Sequence, residues 1–145
     1  MNRYQHFTII INKILREIRR IKNEEMKEYG LKSVHVSCIY YLYNEEQLTS
    51  KELTERCNED KGAISRTIEF LEKQGYIKCD SIAKKRYRDS LLLTEKGKEI
   101  GKIISEKINN ILAELSKNMS EEDRNKLYAN LEIVYNNLAN IKIAE

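Results

Sequence analysis

The chain contains no proline and only five glycines in 145 residues. Proline breaks or kinks a helix, and an interior glycine weakens one by about 1 kcal/mol relative to alanine. A chain so poor in both, and rich in Ile, Leu, Lys, Glu and Asn, is expected to form long helices with few breaks. Apolar spacing locates them. Phe7, Ile10, Ile11, Ile14, Leu15, Ile18 and Ile21 recur at three- and four-residue steps. They predict one long amphipathic helix ending near Tyr29 and Gly30, with the glycine as C-cap.

Ser33 is the expected N-cap of a short helix, VHVSCIYYLYN, apolar on most faces and therefore buried. After the polar NEEQ turn, Thr49 and Glu52 make the S/T-x-x-E capping box that opens a short helix with Leu53 and Cys57 on one face. Asp60 then caps DKGAISRTIEFLEKQGYI, whose buried stripe is Ile64, Ile68 and Leu71 and which ends at Gly75. The period changes next. YIKCDSI and SLLLT read as two strands joined by the charged tip AKKRYRD. Thr94 caps a long helix carrying Ile100, Ile103, Ile104, Ile108, Ile111, Leu112 and Leu115. Ser120 with Asp123 caps the last, with Leu127, Leu131, Val134, Leu138 and Ile141.

The expected fold is mainly α with a small β-hairpin: a winged helix–turn–helix flanked by long dimerisation helices. Hydrophobic residues make up 41% of the chain, enough for one domain over 1–145. Within it, 33–94 is the expected DNA-binding lobe, and 1–30 and 95–145 the helical dimerisation region. The apolar bands at the ends exceed what a winged helix needs and would be costly if left wet. No apolar run reaches the ~20 residues of a membrane span. The N-terminal MNRYQHFTIIINKILREI lacks a small-residue cleavage site and reads as mature protein. Cys38, Cys57 and Cys79 are isolated, odd in number and without a CxxC pattern, so a reduced, cytoplasmic protein is expected.

The formal net charge of +3 does not choose a partner; local charge does. With Ile64, Ile68 and Leu71 facing inward, Lys61, Gly62, Ser65 and Arg66 fall on the opposite side or at the leading end of their helix. Gly62 carries no side chain to hold the backbone off a phosphate or a base edge. Lys61 and the helix-terminal N–H groups suit phosphates. Arg66 offers a fork to guanine or phosphate, and Ser65 bonds to either. Lys84, Lys85, Arg86 and Arg88 crowd the hairpin tip. A basic tip beside a helix–turn–helix reaches the neighbouring minor groove and its phosphates. The alternative for each feature alone is an ordinary solvated surface; together they favour double-stranded DNA.

The run LTSKELTERCNEDKGAISRTIEFLEKQGYI, the basic wing and LLLTEKGKEI resemble the MarR family of winged-helix transcription regulators across nearly the whole chain. The resemblance implies a homodimer on pseudo-palindromic operators, usually a repressor, often released by a small phenolic effector. It places Ser65 and Arg66 in the major groove and a wing arginine in the minor groove. It also places an effector pocket between the dimer helices and the DNA-binding lobe, for which His35, Cys38, Tyr40 and Tyr41 are the candidates, with core packing the plainer reading. The sequence departs from the family at the wing: counting back from Leu93, Tyr87 and Lys85 stand where Arg and Asp are usual, with Arg86 and Arg88 flanking. Glu59 replaces an apolar turn residue, and Phe70 occupies a commonly exposed polar position.

Two other readings are a winged-helix module that binds protein without DNA, and a thiol-based redox-sensing regulator. Against the second, the family's peroxide sensors carry the reactive Cys in the first helix, which has none here. Cys38 is expected to be buried, Cys57 to take an apolar core position and Cys79 to lie on a strand, and buried thiols are usually inert. His6 and His35 make no metal-ligand cluster. Without a glycine-rich phosphate loop or a nucleophile–base set, neither an enzyme nor a cofactor is expected.

Overall fold

The computed structural model describes residues 2–80 and 90–144. In chain order these form α1 (Arg3–Glu25), a single 3₁₀ turn (Lys27–Tyr29), α2 (Ser33–Glu45), β1 (Leu48–Thr49), α3 (Ser50–Cys57), α4 (Lys61–Lys73), β2 (Ile77–Asp80), β3 (Ser90–Leu93), α5 (Glu95–Leu115) and α6 (Glu121–Ala139). They divide into two compact units, 1–107 and 108–145.

Most of the expected helix signals act where they stand. Asn2 caps α1, accepting from the Gln5 N–H at 2.9 Å. The first helix, expected to run to Tyr29 and Gly30, stops at Glu25 with Met26 as its C-cap; Gly30, in the left-handed conformation with φ 69°, caps the 3₁₀ turn that follows. Thr49 and Glu52 form the capping box: Thr49 Oγ1 accepts from the Glu52 N–H at 3.2 Å, and Glu52 Oε2 accepts from the Thr49 N–H at 2.8 Å. Asp60 Oδ1 accepts from the Ala63 N–H at 2.7 Å, Thr94 Oγ1 from the Gly97 N–H at 3.0 Å, and Ser120 Oγ from the Asp123 N–H at 3.0 Å.

Three further expectations are corrected. Lys32, not Ser33, is the N-cap of α2. The Ser33 N–H instead donates to Asn23 Oδ1 of α1 at 2.7 Å, so a tertiary contact satisfies it and the helix starts one residue sooner. Ile141 lies beyond α6, which closes at Asn140. The hairpin is also part of a three-stranded antiparallel sheet of order β1-β3-β2. Leu48 pairs with Leu91 on one side of β3, and Cys79 with Leu91 on the other. A two-residue strand is too short to show a period of two in sequence, but Leu48 is buried and fixes the register.

The core of the first unit gathers Leu42, Leu53, Ile64, Leu71, Ile77, Leu91 and Ile104, among others. It holds α2, α3 and α4 against the sheet and the start of α5. By contrast, α1 buries none of its side chains; Phe7, Ile10, Ile14 and Ile18 are exposed along one stripe. The second unit, taken by itself, is the same: Leu127, Leu131 and Leu138 of α6 are exposed. No helix among the described residues is long and apolar enough to cross a membrane.

Candidate nucleic-acid interface

The α3–α4 pair is set by its turn. Asn58, φ 50°, takes the left-handed conformation that closes α3, and the Asp60 cap then starts α4. Ile64, Thr67, Ile68 and Leu71 of α4 are buried. Lys61, Gly62, Ser65 and Arg66 are exposed on the other side.

Gly62 gains a sharper meaning. A Cβ built on it meets Asp60 Oδ1 at 3.2 Å and Arg66 Nη1 at 3.3 Å. The Arg66 guanidinium therefore lies back over the first turn of its own helix, in space the glycine leaves open. Neither neighbour is backbone, so the fold itself does not require glycine here.

Phe70, unexplained by sequence, stacks on His35 of α2 with ring centroids 4.2 Å apart and planes 12° apart. This ties the middle of α4 to α2. His35 Nδ1 accepts from the Lys32 N–H at 3.0 Å, so the ring is held in its neutral form. Burial, with the Lys32 charge second, pushes its pKa below the ordinary 6.5. Below that value the unfolded chain binds the proton more readily than the folded one, so stability rises with pH. His35 thus contributes stability above pH 6.5 that is lost as pH falls. Urea unfolding at pH 7.5 and 5.5 should show that loss, and His35→Gln should flatten it.

The LTEKG segment locks the far end of α4. Thr94 Oγ1 donates to the Gly75 carbonyl at 2.6 Å, and the Thr94 N–H to the Tyr76 carbonyl at 3.0 Å. Lys96 Nζ donates to the Gln74 carbonyl at 2.7 Å and lies 4.5 Å over the Tyr76 ring. A cation on the last carbonyls of a helix is favoured by its dipole. Gly97 packs directly on the Tyr76 carbonyl. Sequence reasoning found the Thr94 cap but not these contacts, which join residues about twenty positions apart. On the opposite flank Arg56 grips Glu45 with two nitrogens, at 3.0 to 3.2 Å, tying α3 to the end of α2.

The wing is anchored by β2 and β3, with Ile77 facing Leu93 and Asp80 facing Ser90. Lys84, Lys85, Arg86, Tyr87 and Arg88 lie outside the described residues. The candidate effector residues are dispersed: His35 is under Phe70, Cys38 is fully buried, and Tyr40 and Tyr41 meet edge to face at 5.4 Å. A separate cavity of about 440 Å³ is lined by Leu42, Tyr43, Gln47, Lys78, Leu92 and Lys98, among others. The described residues contain no group of three or more His, Cys, Asp or Glu placed to hold a metal ion.

Residues 34–112 match the family model described as winged helix DNA-binding domain. The chain belongs to that family. Individual proteins similar to it include regulators of this fold. It is 26% identical over 117 residues to the HTH-type transcriptional regulator SarZ of Staphylococcus epidermidis, covering 81% of this chain and 78% of SarZ. Its fold is that of a MarR family regulator from Neisseria meningitidis, with TM-score 0.84 at 21% identity, covering 96% of this chain and 95% of that one. It matches equally a putative MarR family regulator from Listeria monocytogenes complexed with 26mer DNA, with TM-score 0.83 at 24% identity, covering 95% and 97%. The chain thus carries a winged helix DNA-binding domain.

Proposed function

We propose that this regulator acts as a cytoplasmic homodimer on a pseudo-palindromic operator in duplex DNA, as a repressor whose grip a small effector relaxes. The observation that carries the DNA reading is the two-sided character of α4. Its buried stripe is apolar, and its outward face presents Lys61, Gly62, Ser65 and Arg66. An exposed helix with donors at its leading end suits the major groove. The basic run Lys84, Lys85, Arg86 and Arg88 follows on the wing and suits adjacent phosphates and the minor groove. Residues 33–94 are the DNA-binding lobe in this reading.

Segments 1–30 and 95–145 are then the dimerisation region. The exposed apolar residues of α1 and of α6 support it, because such surface is unfavourable in water. A twofold pair of α4 helices reads two half-sites about one DNA turn apart. For the effector, a phenolic ring fits a cavity of about 440 Å³ whose apolar wall carries Lys78 and Lys98. His35, Cys38, Tyr40 and Tyr41 do not line that cavity.

Selection of bound duplexes from a random pool tests this reading. The expected result is an inverted repeat with half-site centres roughly 10 base pairs apart. Enrichment of a lone half-site would contradict the dimer, and no enrichment the sequence-specific reading. Gly62→Ala adds a sharper check. It should change the unfolding midpoint little, the better helix propensity of alanine offsetting the close approach of its methyl group to Asp60 Oδ1. It should nevertheless weaken binding to the selected duplex. Undiminished affinity would leave Gly62 as a berth for Arg66 alone.

A further inference from the structure

Two of the three cysteines, Cys38 and Cys57, are not isolated from one another. Cys38 Sγ of α2 and Cys57 Sγ of α3 lie 3.7 Å apart. They are 19 positions apart in sequence, and both are thiols. Cys38 is fully buried, whereas Cys57 is partly open to solvent. One residue of the pair is thus partly exposed and the other is sheltered.

We propose that Cys38 and Cys57 form a modification site for hydroperoxides, closing into an intramolecular disulfide that alters how α3 and α4 present themselves to DNA. The consequence for DNA rests on the DNA-binding reading above; the thiol chemistry does not.

The surroundings divide the roles. The two sulfurs share a hydrogen bond in which either can donate; this contact, with the nearby Lys22 charge, holds the Cys57 pKa below its ordinary value against the opposing effect of burial. Its bond to Cys57, then burial, pushes the Cys38 pKa far up. Lys22 of α1 is fixed in place, its Nζ donating to Ser37 Oγ at 2.9 Å. The other charged or titratable groups that act on the pair are Glu59 in the α3–α4 turn and Tyr41 on α2. Cys57, the more exposed of the two, is the attacking thiolate in this proposal, and the buried Cys38 the resolving thiol.

In the first step the Cys57 thiolate attacks the terminal peroxide oxygen. The O–O bond breaks and the departing oxygen takes a proton, leaving Cys57 sulfenic acid and an alcohol, or water from hydrogen peroxide. Cys38 then loses its proton and its sulfur attacks Cys57 Sγ. The S–O bond breaks, water leaves and the S–S bond forms. Two thiols are oxidised and one peroxide is reduced.

A disulfide needs its sulfurs about 2.05 Å apart. Closing from 3.7 Å draws the last residue of α3 toward α2. Cys57 stands immediately before Asn58, whose left-handed conformation forms the turn, and three residues before the Asp60 cap of α4. A pull there acts on the junction that aims α4.

The test uses the full chain carrying Cys79→Ser, reduced and then exposed to hydrogen peroxide or cumene hydroperoxide. Free thiols are trapped with N-ethylmaleimide, and intact mass and peptide maps are read. The expected product has lost two hydrogens, takes up no maleimide and yields one peptide joining Cys38 to Cys57. Its affinity for the selected duplex should fall tenfold or more and return with dithiothreitol. A second variant, Cys57→Ser with Cys79→Ser, should bind DNA alike with and without peroxide. Failure to form the disulfide, or oxidation of Cys57 only to sulfinic acid, overturns the proposal. A disulfide that leaves duplex affinity unchanged overturns the switch. If the disulfide forms but reduced protein binds no duplex, the DNA reading fails while the thiol chemistry stands.

Discussion

Gly97→Ala is expected to destabilise the fold by roughly 1–3 kcal/mol or more, the cost of forcing atoms into a packed site. The methyl group would collide with the Tyr76 carbonyl oxygen and approach Leu93 Cδ2 to 3.1 Å. That carbonyl cannot simply withdraw, because it accepts the Thr94 N–H at 3.0 Å and lies 3.2 Å from Thr94 Oγ1. Relief would have to separate α5 from the turn that follows α4, undoing the lock that Thr94 and Lys96 close. Gly101→Ala makes a useful comparison. Its Cβ would meet Tyr43 Cδ2 at 2.6 Å and Tyr43 Cβ at 2.9 Å, a clash with a side chain and not with a main-chain carbonyl. The predicted order of unfolding midpoints is wild type and Gly62→Ala highest, Gly101→Ala lower and Gly97→Ala lowest. At about 2–4 °C per kcal/mol for a chain of this size, thermal unfolding resolves that order. A Gly97→Ala midpoint equal to wild type would mean that the α5 start is not held as described.

Arg66→Ala is expected to leave the unfolding midpoint near wild type and to weaken specific DNA binding by about 1–3 kcal/mol, the usual worth of a good bidentate base contact. The side chain is exposed, with its Nη1 beside Gly62, so nothing in the core depends on it. Arg66→Lys separates charge from shape. Lysine keeps the cation but loses the planar fork. If Arg66 reads a base, the lysine variant should lose operator preference while retaining most of its non-specific affinity. If Arg66 meets only phosphate, the lysine variant should resemble wild type. Titration of selected and scrambled duplexes distinguishes the two, and equal operator preference in Arg66→Ala would remove it from the base-reading residues.

What was legible in the sequence is what is local. The caps at Thr49, Asp60, Thr94 and Ser120 act within three residues, so the pattern of residue types carries nearly all their information. The inward stripe of α4 follows from helical period, and with it the outward position of Lys61, Gly62, Ser65 and Arg66. The features that escaped depend on partners distant in sequence. Phe70 looked anomalous because its reason, His35, lies on another helix. Ser33 looked like a cap because Asn23 was not known to reach it. Cys38 and Cys57 looked isolated because no spacing rule joins cysteines on two packed helices. Gly97 read as one more residue of LTEKG until the Tyr76 carbonyl appeared beneath it. The short β1 had too few residues to carry a period. The wing basic residues have the opposite character: their charge is plain in the sequence, and their positions lie outside the described residues.

The central claim is that the outward face of α4 and the basic wing engage duplex DNA. Its most direct test is the affinity of the full chain for a selected duplex across a series of salt concentrations. Each phosphate neutralised by Lys or Arg releases counterions, contributing about −0.9 to the slope of log K against log salt. The account predicts tight binding at low salt, a straight line with a steep negative slope, and a shallower slope when Lys84, Lys85, Arg86 and Arg88 are replaced by alanine. No duplex binding at low salt, or an affinity indifferent to salt, would contradict it.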